Sequence, residues 1–166
     1  MPGIKESKNP DSSPSFSIRQ ARPNDLETLV SWVTSFFNES PEFRGLKPDV
    51  NKTLVYLFNI MMNDHDLLLV GEEKGSNRPV AALIAEINSL WYTSDVVADE
   101  KVFYILPEFR GKSLAREMLL CYVRWAESKQ VVKTRIGVST GLELEKTKGF
   151  FEGSGFALTG FNFSRG

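Results

Sequence analysis

The sequence predicts an α/β domain, and three observations carry that prediction. Apolar segments with strand character and segments with helical spacing follow one another in the order β α α β β β α β α β. In the middle of the chain a β-branched and aromatic run, Val102, Phe103, Tyr104 and Ile105, meets Pro107 and is followed by a long amphipathic pattern. The 166 residues suffice for one core without disulfide staples.

In chain order, residues 1–15 hold Pro2, Gly3, Pro10 and Pro14 among Ser, Lys, Asn and Asp, which cannot bury enough apolar surface to offset ordering. They are expected to form a flexible tail, with the domain spanning residues 16–166. Phe16, Ile18 and Gln20 alternate with polar residues as a first strand that Pro23 ends. Asn24 and Glu27 have the spacing of an N-terminal cap, and Leu26, Leu29, Val30, Val33, Phe36 and Phe37 continue at helical steps. A loop with Pro41 and Gly45 carries Glu39, Glu42 and Phe43. Pro48 and Asp49 then open a second helix, marked by Val50, Leu54, Leu57, Phe58 and Met61.

Residues 67–72 and 80–87 read as a hairpin around the Gly, Asn and Pro of residues 74–79. Residues 88–97 connect it to the strand at 102–105, with Trp91 and Tyr92 expected as core plugs. From Lys112 to Lys129, Leu114, Ala115, Met118, Leu119, Tyr122, Trp125 and Ala126 mark one apolar helix face. A strand is expected over residues 134–139, a helix over 142–152, and after Gly153 and Gly155 a bulged last strand over 156–164.

Composition narrows the function. Lys and Arg number 20 against 21 Asp and Glu, so the charge balance points to neither nucleic acid nor a polybasic membrane surface. Cys121 is the only cysteine and lies in a predicted helix; His65 is the only histidine and lies in a predicted turn. No disulfide, Cys-rich metal site or zinc site follows from such a set. No apolar run long enough for a membrane span and no leader pattern is seen, so a soluble, cytoplasmic protein is expected.

The turn between the central strand and its helix is the candidate ligand site. Arg110, Gly111, Lys112 and Ser113 stand where the first helical turn leaves its N–H groups unpartnered, so free amides, the positive end of the helix dipole and two cationic side chains converge on a phosphate-sized anion. Gly111-Lys112-Ser113 ends like a Walker A loop, but the second glycine of that motif is replaced by Leu106. Arg110-Gly111-Lys112-Ser113-Leu114-Ala115, after Ile105-Leu106-Pro107, resembles instead the coenzyme A pyrophosphate loop of the GCN5-related N-acetyltransferase (GNAT) superfamily, commonly Arg/Gln-x-x-Gly-x-Gly/Ala. Arg110 and Ala115 fit it, and Ser113 replaces the usual glycine. The order of elements after Phe16 agrees with the same family.

That resemblance implies a mixed central sheet flanked by helices, with two splayed central parallel strands, here residues 102–105 and 134–139, and the pantetheine arm of acetyl-CoA lying between them. It implies that Ile105 bonds the arm, that Arg110, Gly111, Lys112, Ser113, Leu114 and Ala115 hold the pyrophosphate, and that an amine acceptor, a small molecule or a protein or peptide, attacks the thioester directly. The acetyl donor would be acetyl-CoA, and no metal is called for.

An amine must lose a proton first, and Glu100 is the candidate base, placed by two-residue alternation on the same side as Val102 and Tyr104, with Asp99 as substitute. Phe151-Glu152-Gly153-Ser154-Gly155-Phe156 resembles the family's Tyr-x-x-x-Gly-Phe segment with phenylalanine in place of the proton-donating tyrosine. Leu144 likewise replaces an asparagine seven residues earlier. Tyr104, Ser139 or Thr140 are alternative donors. These departures leave open a second class of function, a CoA-binding or protein-interaction module without turnover. With one strand after the last helix, an open sheet edge is expected, on which a second subunit can pair to form a homodimer.

Overall fold

The computed structural model describes residues 15–138 and 140–165; residues 1–14 of the expected tail lie outside it, as does Ser139. Strand β1 (Phe16–Gln20) leads to helix α1 (Leu26–Glu39), helix α2 (Val50–Met62) and strands β2 (Leu67–Glu73), β3 (Arg78–Ser89) and β4 (Val96–Ile105). Helix α3 (Ser113–Ser128), strand β5 (Lys133–Arg135) and helix α4 (Leu144–Glu152) follow. The sheet order is β1-β2-β3-β4-β5, antiparallel through β4, with β5 parallel to β4. This mixed sheet flanked by helices is the fold class expected.

The two faces of the sheet bury separate cores. Val70, Ala82, Ile84 and Tyr104 pack under α1 and α2 against Leu29, Trp32, Leu57 and Ile60. Leu69, Leu83, Ala85, Ala98 and Ile105 pack under α3 against Leu114, Met118 and Tyr122. Alternate strand residues supply the two sets, as the pleat requires. Helix α3 approaches β2 so closely at Gly71 that an added Cβ would lie 2.9 Å from Leu114 Cδ1 and 3.2 Å from Ala81 Cβ. Glycine is needed there for space.

Several elements depart from expectation for identifiable reasons. Asn24 does not cap α1. Residues Pro23–Asp25 form a 3-10 turn, the Asp25 carboxylate accepts the Arg22 N–H at 2.6 Å, and Arg19 pairs with both Asp25 and Glu72. Asp49 caps α2 by accepting from the Lys52 N–H at 2.9 Å. The apolar residues of α2 surround more than one face, and only the Leu57 and Ile60 side reaches the core; Val50, Leu54 and Phe58 are exposed. Strands β3 and β4 each reach two residues into 88–97, and Trp91 and Tyr92 are exposed in the connection between them, 95% and 67%, rather than plugging the core.

The last expected strand does not form: residues 156–164 are irregular, with Phe161 and Phe163 exposed. Strand β5 is three residues long where six were expected, so it offers almost no ladder for a following strand to join. Helix α4 instead ends on Gly155 at φ +91°, with the Phe156 N–H reaching the Phe151 carbonyl at 3.1 Å.

Candidate active site

The shortness of β5 makes the site. Val97, Ala98 and Asp99 pair with Lys133, Thr134 and Arg135, after which β5 stops while β4 runs on for six residues. The unpaired edge of β4 borders a cleft of about 400 Å³ lined by Glu100, Val102, Tyr104, Ile105, Arg110 and Ala115 on one side. Gly137, Val138, Thr140, Leu142, Phe150 and Phe151 line the other. This is the splay expected of the parallel pair, located after Asp99. Tyr122, fully buried on α3, clasps its base: the phenol hydroxyl lies 2.7 Å from the Arg135 carbonyl of β5 and 3.1 Å from the Ala98 carbonyl of β4.

Glu100 sits just above that clasp, but on the other side of the sheet from the one expected. In the β3–β4 register Val102 pairs with Ile84 and Glu100 with Ala85, so Lys101 is an extra residue in a β-bulge. The bulge breaks two-residue alternation. Glu100 therefore shares the α3 face with Ala85 and Ala98, whereas Val102 and Tyr104 point toward α1 and α2. Its carboxylate is half-buried and accepts one long hydrogen bond, 3.3 Å from the Gly137 N–H. Loss of hydration raises its pKa to about 7, against the smaller opposing effects of that amide and of Lys101. Asp99, the substitute, is held by Arg135 at 3.2 Å.

At the mouth of the cleft, Leu106 turns back to donate to the Val80 carbonyl at 3.0 Å, and residues Pro107–Phe109 form a 3-10 turn. Gly111 follows at φ +74°, a left-handed conformation that glycine takes without strain. Among the described residues, no group accepts from the amides of Lys112, Ser113, Leu114 and Ala115, and α3 begins without a side-chain cap. Four free N–H groups at the positive end of a sixteen-residue helix suit a diphosphate. Lys112 Nζ lies over the Phe109 ring, 4.8 Å from its centroid.

Arg110 is placed otherwise than the loop motif implies. Its guanidinium turns back toward α1: Nε donates to the Ile105 carbonyl at 2.8 Å and Nη2 to Glu39 Oε2 at 2.7 Å, over the Tyr104 ring. Tyr104 in turn donates its hydroxyl to Glu39 Oε1 at 2.8 Å. Burial, and after it the Glu39 hydrogen bond, raise the Tyr104 pKa to about 12. Tyr104 as found thus has its proton committed. Phe151 packs beside Phe150 and Phe156 and brings no hydroxyl, while Ser139 lies outside the described residues.

Sequence reasoning missed the Tyr122 clasp and the place of Glu39 at the end of α1. The signal for the first was a phenol on an otherwise apolar helix face, whose hydroxyl has to find a partner when buried. Among the described residues no three His, Cys, Asp or Glu side chains gather as a metal site, and no helix is long and apolar enough to cross a membrane.

Solved structures of similar fold include an aminoglycoside N-acetyltransferase, AAC(6')-Iy, in complex with CoA, 19% identical, with a TM-score of 0.71 over 94% of this chain and 97% of that one. A glucosamine-6-phosphate N-acetyltransferase from Arabidopsis thaliana is 16% identical, with a TM-score of 0.69 over 91% and 97%. A Trypanosoma brucei acetyltransferase is 16% identical, with a TM-score of 0.68 over 92% and 99%. No curated protein matches the sequence. Residues 27–156, the greater part of the chain and all of the cleft's walls up to α4, match the acetyltransferase (GNAT) family as a whole, and it is to this family that the chain belongs.

Proposed function

We propose that the protein is an acetyl-CoA-dependent N-acetyltransferase in which an amine attacks the thioester directly. The observation that carries this reading is one cleft with two ends: free amides of residues 112–115 at its mouth and a carboxyl group poised near pH 7 at its floor. The amides supply the binding chemistry for the diphosphate. The unpaired edge of β4, Ile105 included, supplies backbone groups for the pantetheine amides and for the thioester carbonyl oxygen.

In the proposed reaction Glu100 takes the proton that the acceptor ammonium must lose. A carboxyl group near 7 is half ionised at neutral pH and is a stronger base than an ordinary glutamate. The neutral nitrogen then attacks the thioester carbonyl, the C–N bond forms, the C–S bond breaks, and the second proton of the nitrogen passes to water as the amide forms. With Phe151 apolar and Tyr104 donating to Glu39, the sulfur leaves as thiolate, which a thiol pKa of roughly 8.5 permits. Cys121, on α3 with no histidine beside it, does not support a covalent intermediate. The acceptor class is an amine, as the names of the aminoglycoside and glucosamine-6-phosphate enzymes of similar fold also indicate.

The missing hydroxyl at Phe151 favours one second reading, a domain that binds acyl-CoA without transferring from it. Calorimetric titration with acetyl-CoA and desulfo-CoA, followed by thiol release over a panel of amines, separates the two. Turnover requires binding and thiol release; binding without release on any amine would assign the second reading; absence of binding would remove both. A homodimer is a further part of the proposal, although the three residues of β5 offer little ladder for strand pairing, and a monomeric mass in light scattering at high concentration would remove it.

A further inference from the structure

Glu39 closes α1, at the end where helix carbonyls make the potential negative, and the last turn has no basic residue of its own. A carboxylate in that position is unfavourable unless it meets a cation from elsewhere. Here it meets the Arg110 guanidinium at 2.7 Å, with the Tyr104 hydroxyl on its other oxygen at 2.8 Å. Aromatic rings wall the place. Phe36 lies edge-on to Tyr104 at 6.0 Å, and Phe43 lies 5.1 Å from Phe36. A carboxylate with aromatic neighbours is a receptor for an organic cation, and Arg110 fills it.

The same guanidinium also holds the Ile105 carbonyl at 2.8 Å, a group on the unpaired edge of β4. Arg110 lies only three positions before the start of α3, where the amides are free. Its short tether lets it reach either Glu39 or an anion held on those amides, but with Nε and Nη2 both engaged it cannot serve both in its present rotamer. We propose that Arg110 is a latch shared by two sites: it plugs the Glu39 carboxylate, and a diphosphate bound at α3 draws it away, opening Glu39 to a cationic amine. This rests on the function proposed above. Because the two events compete for one guanidinium, cofactor binding and cation binding are coupled, equally in both directions.

The coupling makes an unusual prediction for a residue that does not itself line the cleft. Glu39→Gln keeps an acceptor for Tyr104 but releases Arg110, so acetyl-CoA should bind about fivefold more tightly by calorimetry. Glu39→Asp, which withdraws the charge by one methylene, should give a smaller gain in the same direction. Arg110→Gln should weaken acetyl-CoA about tenfold, and adding Glu39→Gln to it should change nothing further. With methylguanidinium as the cation probe, followed by NMR, affinity for the wild-type protein should rise about fivefold in saturating CoA, and Glu39→Gln should abolish binding.

If Arg110 and Glu39 were only a tie fastening α1 to β4, Glu39→Gln would leave acetyl-CoA affinity unchanged or lower it while reducing the melting temperature. That result, in variants that melt cooperatively, would overturn the latch and leave the proposed function standing. Methylguanidinium binding that ignores CoA would do the same. Failure of the wild-type protein to bind acetyl-CoA would overturn both.

Discussion

Glu100 lines the cleft and Glu39 is bonded to two residues that line it, Tyr104 and Arg110, and the surroundings of these two carboxylates are opposite. Glu39 is saturated: an arginine and a tyrosine donate to its two oxygens at 2.7 and 2.8 Å. Glu100 is starved of partners, with one backbone amide at 3.3 Å for a half-buried carboxylate. Ion pairing holds a charge in place, whereas desolvation with few partners makes the charged form costly and the proton welcome. In the roles proposed above, the difference is why Glu39 takes a cation and Glu100 a proton, whereas the sequence alone offers one as a loop glutamate and the other as a strand-end glutamate.

The comparison breaks most readily on turnover. Glu100→Gln should lower thiol release about 100-fold or more while leaving acetyl-CoA affinity within about twofold. Wild-type kcat/KM should rise with pH through about 7 as Glu100 ionises, and the variant should lack that limb. An unchanged profile would take the base role from Glu100.

Stability gives a second measure of the same starved charge. The Glu100 pKa is raised from 4.5 to about 7, so the folded state binds the proton more tightly than the unfolded one does. Its contribution is complete below about 4.5 and is lost as pH rises through 7. Urea unfolding should therefore find Glu100→Gln more stable than wild type by about 2 kcal/mol at pH 8 and equal to it at pH 4. A constant difference across that range would mean that Glu100 is better solvated than its surroundings imply.

Two smaller effects sharpen the contrast between the faces. Gly71→Ala presses on Leu114 and Ala81 beneath α3, and should cost about 1.5 kcal/mol in denaturant unfolding. It should also weaken acetyl-CoA, because Leu114 belongs to the first turn of α3, while the Glu39 side is untouched. Tyr122→Phe removes the clasp at the fork and should cost about 1 kcal/mol. Amide exchange at Thr134 and Arg135 should quicken with it, and protection equal to wild type would show that the β4–β5 pairing does not need the phenol.

Much of the fold was legible because its signals are local. The helical spacing from Lys112 to Lys129 and the cap at Asp49 are read within a few residues and hold in the structure. The free amides of residues 112–115 follow from where a helix starts, and they too are present. What failed was whatever depends on a partner far along the chain. The side chosen by Glu100 is set by the register of β3 against β4, and a single bulged residue reverses it. The strand expected over residues 156–164 had apolar alternation but no neighbouring ladder. Trp91 and Tyr92 looked like core residues by type, yet the long β3 and β4 carry them beyond the helices that would cover them.

Taken alone, the sequence determined the order of the helices and of the first five strands, which loop leaves amides free, and that no hydroxyl stands at position 151, because each of these is a property of neighbours in the chain. Only the tertiary structure decided that Arg110 lies against Glu39, seventy-one positions away, and that Glu100 is half-buried beside Gly137 with a raised pKa. The physical reason is that charge and pKa are settled by what surrounds a group in space, and the chain's order carries no record of which distant residue will be brought there.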